Sequence, residues 1–206
     1  MNLIISEVDR PLIIKVASIA AAHTQVYFID NEDYFKRKQL ERDDNGVFFE
    51  DNDERAIFFA RGVLETVKKL RWAPDIIHCH GWISHMLPVY LKKTYRDDPI
   101  FSNSKVVLSF YDNTPNEMFS KDFIEKAKFG SVGEKELELL KVPSGINLAK
   151  TAAKFADGII VAGENVPSSL VSYCRDRGLP VLKSKAKSIA DGSYIEEYNA
   201  FYDQIF

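Results

Sequence analysis

The chain has 206 residues, enough for one full hydrophobic core, and its 46 % hydrophobic and 28 % charged composition is that of an ordinary folded domain. A formal net charge of −3 disfavours a nucleic-acid partner, which requires a concentrated basic face, and the basic cluster at residues 183–187 reads as a solvated loop. No apolar run approaches the roughly 20 residues of a membrane helix, no basic-then-apolar leader opens the chain, and Cys79 and Cys174 form no disulfide framework; the expected location is the cytoplasm.

In chain order, residues 4–29 read as two or three strands joined by tight connections and antiparallel in part, with Pro11 at a strand start or an edge. Asp30-Asn31 caps a short helical turn that contains Tyr34 and Phe35. Residues 36–45 are nearly all polar and form a surface loop. Asp51-Asn52-Asp53-Glu54-Arg55 then opens a long helix, because carboxylates suit the exposed amides and positive dipole end of a first turn. Its buried stripe is Ile57, Phe58, Val63, Leu64, Val67 and Leu70.

Pro74 precedes a short strand over residues 76–79, and residues 84–93 form the next helix, with Pro88 in its early turns. Residues 105–110 are nearly all apolar, as an interior parallel strand should be, and residues 158–162 form another strand. Helices over residues 146–155 and 166–177 flank it. This alternation predicts an α/β fold, a Rossmann-like three-layer sandwich with a mostly parallel sheet covered on both faces. Residues 115–140 form a polar excursion holding one or two helices. The tail carries an aromatic stripe, Tyr194, Tyr198, Phe201, Tyr202 and Ile205, which packs either on the chain's own sheet or on a separate partner.

Three of the four histidines, His78, His80 and His85, lie within eight residues at the end of strand 76–79. The carboxyl edge of such a sheet is where ligand-contacting groups gather. His80 is the leading candidate. His78 alternates with Cys79 and reads as buried structure, while His85 faces either inward or outward. Cys79 points away from both strand histidines, so no metal site is expected. Tyr111, Asp112 and Asn113 follow strand 105–110 at the same edge. Trp82, Tyr111 and Phe119 serve either as ligand-stacking faces or as core. Asp51 and Asn52, with Arg55, either cap the helix and pair across one turn or hydrogen-bond near a ligand groove. A glycine-rich βα turn for a dinucleotide is not found.

Taken together, Tyr27-Phe-Ile-Asp-Asn31, Tyr34-Phe35, Asp51-Asn52, Arg55, Trp72-Ala-Pro-Asp-Ile-Ile-His-Cys-His-Gly-Trp82, Pro88-Val-Tyr-Leu-Lys92, Pro99-Ile-Phe101 and Lys154-Phe-Ala-Asp-Gly-Ile-Ile-Val161 resemble the glycogen/starch synthase family. These are retaining glucosyltransferases that carry glucose from ADP-glucose or UDP-glucose to an α-1,4-glucan. The resemblance implies the N-terminal domain of the two-domain GT-B arrangement, with residues 1–206 as one incomplete domain. The family's opening βα unit, with its Lys-x-Gly-Gly loop, and the C-terminal nucleotide-sugar domain are expected to be absent. Partners implied in this way are the glucan acceptor and either a complementary C-terminal domain or a second copy of the chain. No cofactor is expected beyond the donor.

By the same resemblance His80 takes the place of the first histidine of the family's His-Asp-Trp signature, beside the donor glucose, and is the expected catalytic residue. Trp82, Tyr111, Asp112, Asn113, Asp51 and Asn52 are the expected substrate-binding residues. Two departures stand out: Gly81 stands where the signature has aspartate, and the family's His-Asn appears as Tyr111-Asp112 or is shifted toward Asn113. Both remove side chains that the family places at its domain cleft. The chain alone is therefore expected to be inactive, with a non-catalytic glucan-binding or regulatory domain as the alternative.

Overall fold

The computed structural model describes residues 1–184 and 186–206, with Ala186 and Lys187 described by backbone alone. The chain opens with two separate antiparallel hairpins. Strands β1 (Asn2–Ile5) and β2 (Val8–Pro11) pair through a two-residue turn, Ser6-Glu7, in which both residues have positive φ, the geometry that suits the twist of a tight hairpin. Strands β3 (Ile13–Ile19) and β4 (Thr24–Asp30) pair along their whole length. The two or three strands expected are thus four. Pro11 closes β2 on a two-stranded sheet, where every strand is an edge and its missing N–H is tolerated.

Asn31 caps helix α1 (Glu32–Phe35): its Oδ1 accepts from the backbone N–H groups of Asp33 and Tyr34 at 3.0 and 3.1 Å. Helix α2 (Asn52–Leu70) follows the polar loop and buries Ile57, Phe58, Ala60 and Leu64. The predicted stripe ends a turn early, since Leu70 is 44 % exposed. Next come β5 (Ile76–His80) and α3 (Leu87–Lys93), then β6 (Lys105–Phe110) and α4 (Phe123–Ala127), and then α5 (Gly145–Ala153) and β7 (Gly158–Val161). The chain closes with α6 (Ser168–Asp176), β8 (Val181–Lys183), α7 (Ala186–Asp191) and α8 (Tyr194–Ile205). Helix α3 starts three residues later than expected because Trp82–Ser84 winds as a 3-10 turn first. Pro88 sits in its first turn, where no N–H is needed.

Strands β5-β6-β7-β8 form a four-stranded parallel sheet in that order. Side chains alternate across it. Val106, Leu108, Phe110, Ile159 and Val161 join the main core with α2, α3, α5 and α6. Val107 and Ile160 face the other way and meet Phe201, Tyr198, Tyr202 and Ile205 of α8. The aromatic tail therefore covers the chain's own sheet, which settles the alternative left open by its sequence. Strand β8 was not expected: three residues are too few for a readable period, and Lys183, assigned to a solvated loop, ends that strand. The remainder of that expected loop lies in part outside the described residues.

Candidate functional site at the carboxyl edge of the sheet

Parallel pairing of β5 with β6 sets His80 opposite Ser109, so the chain leaving β6 passes beside His80. The exposed His80 imidazole has its Nδ1 2.7 Å from the Tyr111 hydroxyl. Two residues earlier on the same face, His78 stacks near it with ring centroids 3.9 Å apart. His78 Nδ1 lies 2.7 Å from the Tyr202 hydroxyl and Nε2 lies 2.7 Å from Ser109 Oγ. Burial, with His80 nearby, pushes the His78 pKa down to about 3. Burial also lowers His80 and raises Tyr111. His78, His80 and Tyr111 thus present neutral, directional hydrogen-bonding groups at this strand end.

Asp112 and Asn113 extend this edge. Asp112 Oδ1 accepts from the Asn165 N–H at 2.7 Å and Oδ2 from the Glu164 N–H at 3.3 Å, which ties the end of β6 to the end of β7. A Cβ on Gly163 would fall well inside contact distance of the Asp112 side chain and its backbone nitrogen, so this tie depends on glycine. Asn113 is exposed. Gly81 has φ +72° and ψ 163°, a region essentially confined to glycine.

The other expected site residues are placed differently. Trp82 is 3 % exposed and packs against Phe48 and Phe119, and its indole N–H donates to Glu41 Oε2 at 2.8 Å. It has no open face for a sugar: the expected stacking side chain is core. Asp51 occupies the cap position of α2 but accepts no capping bond; it receives both Arg37 Nη groups at 2.7 and 2.5 Å instead. Asn52 is fully buried, donating to the Glu41 carbonyl at 2.9 Å and accepting from Arg55 Nη1 at 2.6 Å. Asp51 and Asn52 brace the loop over residues 36–50, and Glu41 of that loop holds Trp82 behind the His80 strand end. The same loop, through Val47, Phe48, Phe49 and Glu50, forms one wall of a concavity of about 560 Å³ whose other wall includes Glu117, Met118 and Lys126. Sequence reading missed this concavity because it arises from two loops brought together only by folding.

His85 faces inward. It is 2 % exposed, lies edge-on to Phe110, and among the described residues neither ring nitrogen has a hydrogen-bond partner. Burial drives its pKa down to about 3. Both cysteines are buried free thiols whose pKa values burial raises, to about 12 for Cys79 and about 11 for Cys174. Among the described residues, no group of three or more histidine, cysteine or carboxylate side chains is arranged to hold a metal ion, and no helix is long and apolar enough to cross a membrane.

The family profile described as the starch synthase catalytic domain matches residues 3–172. The chain belongs to this starch synthase family. Glycogen synthase of Chlorobium limicola is 32 % identical over 200 residues, covering 93 % of this chain and 40 % of the relative. Glycogen synthase of Clostridium perfringens is 32 % identical over 192 residues, covering 87 % of this chain and 37 % of the relative. That of Chlorobium luteolum reaches 44 % identity over 100 residues, 48 % of this chain and 20 % of the relative. The chain thus spans about 40 % of the length of the relatives matched over most of its length. In fold it is similar to the catalytic domain of starch synthase IV from Arabidopsis thaliana, solved bound to ADP and acarbose, with a TM-score of 0.65 at 14 % identity over 92 % of this chain and 40 % of that one. The expected α/β GT-B-type fold of the starch synthase family is the one observed.

Proposed function

We propose that the chain is a glycogen (starch) synthase-type glucosyltransferase domain that receives an α-1,4-glucan and presents His80 to the transferred glucose. The observation that carries this reading is the exposed His80 imidazole, paired with Tyr111, at the adjacent ends of two parallel strands in a chain of this family. Transfer from ADP-glucose or UDP-glucose builds positive charge on the sugar as the phosphate leaves, and a preorganised neutral dipole beside it is worth most in the transition state. Asp112 and Asn113 extend the sugar-facing edge; Trp82, Asp51 and Asn52 support it through the loop over residues 36–50. Cationic groups for the donor diphosphate belong to a complementary C-terminal domain, and residues 1–206 act as a single N-terminal-type domain in the cytoplasm.

Titration of the ¹⁵N-labelled chain with a maltooligosaccharide tests this. Amide shifts should centre on His80, Tyr111 and Asn113 and weaken in His80→Ala, whose thermal midpoint stays near that of the parent. Shifts confined elsewhere, or none, would refute the sugar edge. Incubation with either donor and the glucan should give no transfer above a no-protein blank; turnover lost in His80→Ala would overturn the claim that the chain alone is inactive. A second reading, a non-catalytic glucan-binding or regulatory domain, is favoured by Gly81 and by Tyr111-Asp112, which replace family side chains. Glucan binding without transfer, persisting when a family C-terminal domain is supplied, would select it.

A further inference from the structure

Trp72 stands outside the core. Tryptophan is on average a highly buried residue, and Trp82 obeys that rule at 3 % exposure, but Trp72 is 60 % exposed beside Leu70 at 44 %. Local structure sets it there. Arg71 ends α2 with φ +53°, which turns the chain off the helix, and Pro74 follows shortly after, so the helix does not resume. The facing wall comes from the second hairpin. Side chains alternate along β4, so Gln25, Tyr27 and Ile29 share one face. Ile29 packs on the middle of α2, where a Cβ on Gly62 would come within 2.9 Å of it; Tyr27 and Gln25, earlier in the strand, therefore lie towards the end of the helix. There His23, Thr24, Gln25 and Tyr27 enclose a concavity of about 570 Å³ with Leu70 and Trp72. The Tyr27 hydroxyl donates to Gln25 Oε1 at 2.6 Å, which holds phenol and amide as one polar edge. Among the described residues the Trp72 indole has neither a hydrogen-bond nor a ring partner, and no carboxylate, lysine or arginine lines the concavity.

We infer that this concavity is a second docking site for an α-glucan, separate from the His80 rim. A pyranose ring presents apolar C–H faces bordered by neutral hydroxyls. An open indole face matches the first, and the Gln25 amide, the Tyr27 phenol and the Thr24 hydroxyl match the second. The phosphates of a nucleotide would meet no cation in the lining, and a packed protein surface would strip water from the Gln25–Tyr27 edge, which is costly unless every group is re-paired. The site is remote from the rim. At its first residues α2 braces, through Asn52 and Glu41, the loop that holds Trp82 behind His80; Leu70 is 19 residues along the same helix, roughly 28 Å away at 1.5 Å per residue. One sugar cannot touch both places, but a polymer of sugars can, and a chain held at one point has its ends concentrated at the other. The choice of glucan as ligand rests on reading the chain as a glucosyltransferase domain; the position of the site does not.

The test is titration of the whole ¹⁵N-labelled chain with β-cyclodextrin, a cyclic α-1,4-glucan with no non-reducing end to extend, and separately with maltoheptaose. Both sugars should move the Trp72 indole N–H and the Gln25 side-chain amide and leave the buried Trp82 indole in place. Trp72→Ala, at an exposed position, should keep the thermal midpoint and weaken β-cyclodextrin binding about tenfold, the order of one aromatic contact. Trp72→Phe should recover part of the loss, and Gln25→Ala should weaken binding several-fold. Trp72 and Gln25 signals unmoved by either sugar, or β-cyclodextrin affinity unchanged in Trp72→Ala, overturns the inference. So does a Trp72 indole that moves as far with ADP, which would assign the concavity to a nucleobase, or one that moves with protein concentration alone, which would assign it to a second copy of the chain. Maltoheptaose shifts at Trp72 with none at His80, Tyr111 or Asn113 would sustain this site and refute the sugar edge; shifts at the edge alone would do the reverse.

Discussion

His85 shows what a single side chain does when its surroundings offer nothing polar. Enclosed beside Phe110 with both ring nitrogens unpartnered, it stays neutral down to about pH 3, whereas an imidazole in the unfolded chain binds a proton below about pH 6.5. Between those values the unfolded state holds more protons, so stability falls as pH drops from about 6.5 towards 3, by up to ~1.4 kcal/mol per unit, and is insensitive to this group above that window. His78 acts in the same direction. Replacing His85 by Leu removes an unsatisfied buried group and should stabilise the chain by roughly 1–3 kcal/mol. It should also flatten the loss of denaturation midpoint between pH 7 and pH 5; an unchanged pH slope would show that the imidazole is not its source. Gly81 makes the opposite point. A Cβ there meets no neighbour, yet its positive φ belongs to glycine. Gly81→Asp, which rebuilds the family's signature, should cost about 1–3 kcal/mol of backbone strain in urea unfolding; a neutral result would mean the turn can relax.

At the scale of elements, the loop over residues 36–50 has almost no apolar content of its own before Val47, and its order comes from polar anchors on α2. Asn52 satisfies both the Glu41 carbonyl and the Arg55 guanidinium, which burial already disfavours. Asn52→Ala leaves that buried cation short of an acceptor and should cost about 2–3 kcal/mol. Proteolysis within the loop should accelerate, and the Trp82 fluorescence should shift as Glu41 releases the indole; intact protease resistance would assign the loop's order elsewhere. Helix α8 depends on one ring in the same way. Phe201 lies against Gly158 and within the Val107–Ile160 cluster. Phe201→Ala should cost about 3 kcal/mol or more, with faster amide exchange in β6 and β7 as the measured sign that α8 has lifted.

Over the whole molecule, one face of the sheet is covered by helices from the middle of the chain and the other by the tail, and the neutral His80 edge lies where the strands end. A sugar bound by neutral donors and acceptors responds little to ionic strength, so maltooligosaccharide affinity should be nearly the same at about 0.05 and 0.5 M salt. A steep decline would point to charged groups in the site. Much of this architecture was legible beforehand. Residues 105–110 announced an interior strand by being nearly all apolar, Asn31 announced a cap, and the order of motifs from Tyr27 to Trp82 announced the family, because local propensity and spacing are written directly in the chain. What Trp82, Asp51 and Asn52 do was not legible. A tryptophan beside a strand end reads the same whether it stacks on a ligand or on Phe48 and Phe119, and an acidic helix start reads the same whether or not it caps. The sequence by itself determined the alternation of elements and the set of polar residues at the sheet's edge. Only the tertiary structure decided which of them face outward and that the tail's Tyr202 reaches His78, because those outcomes depend on contacts between residues as many as 124 positions apart, for which the chain carries no local signal.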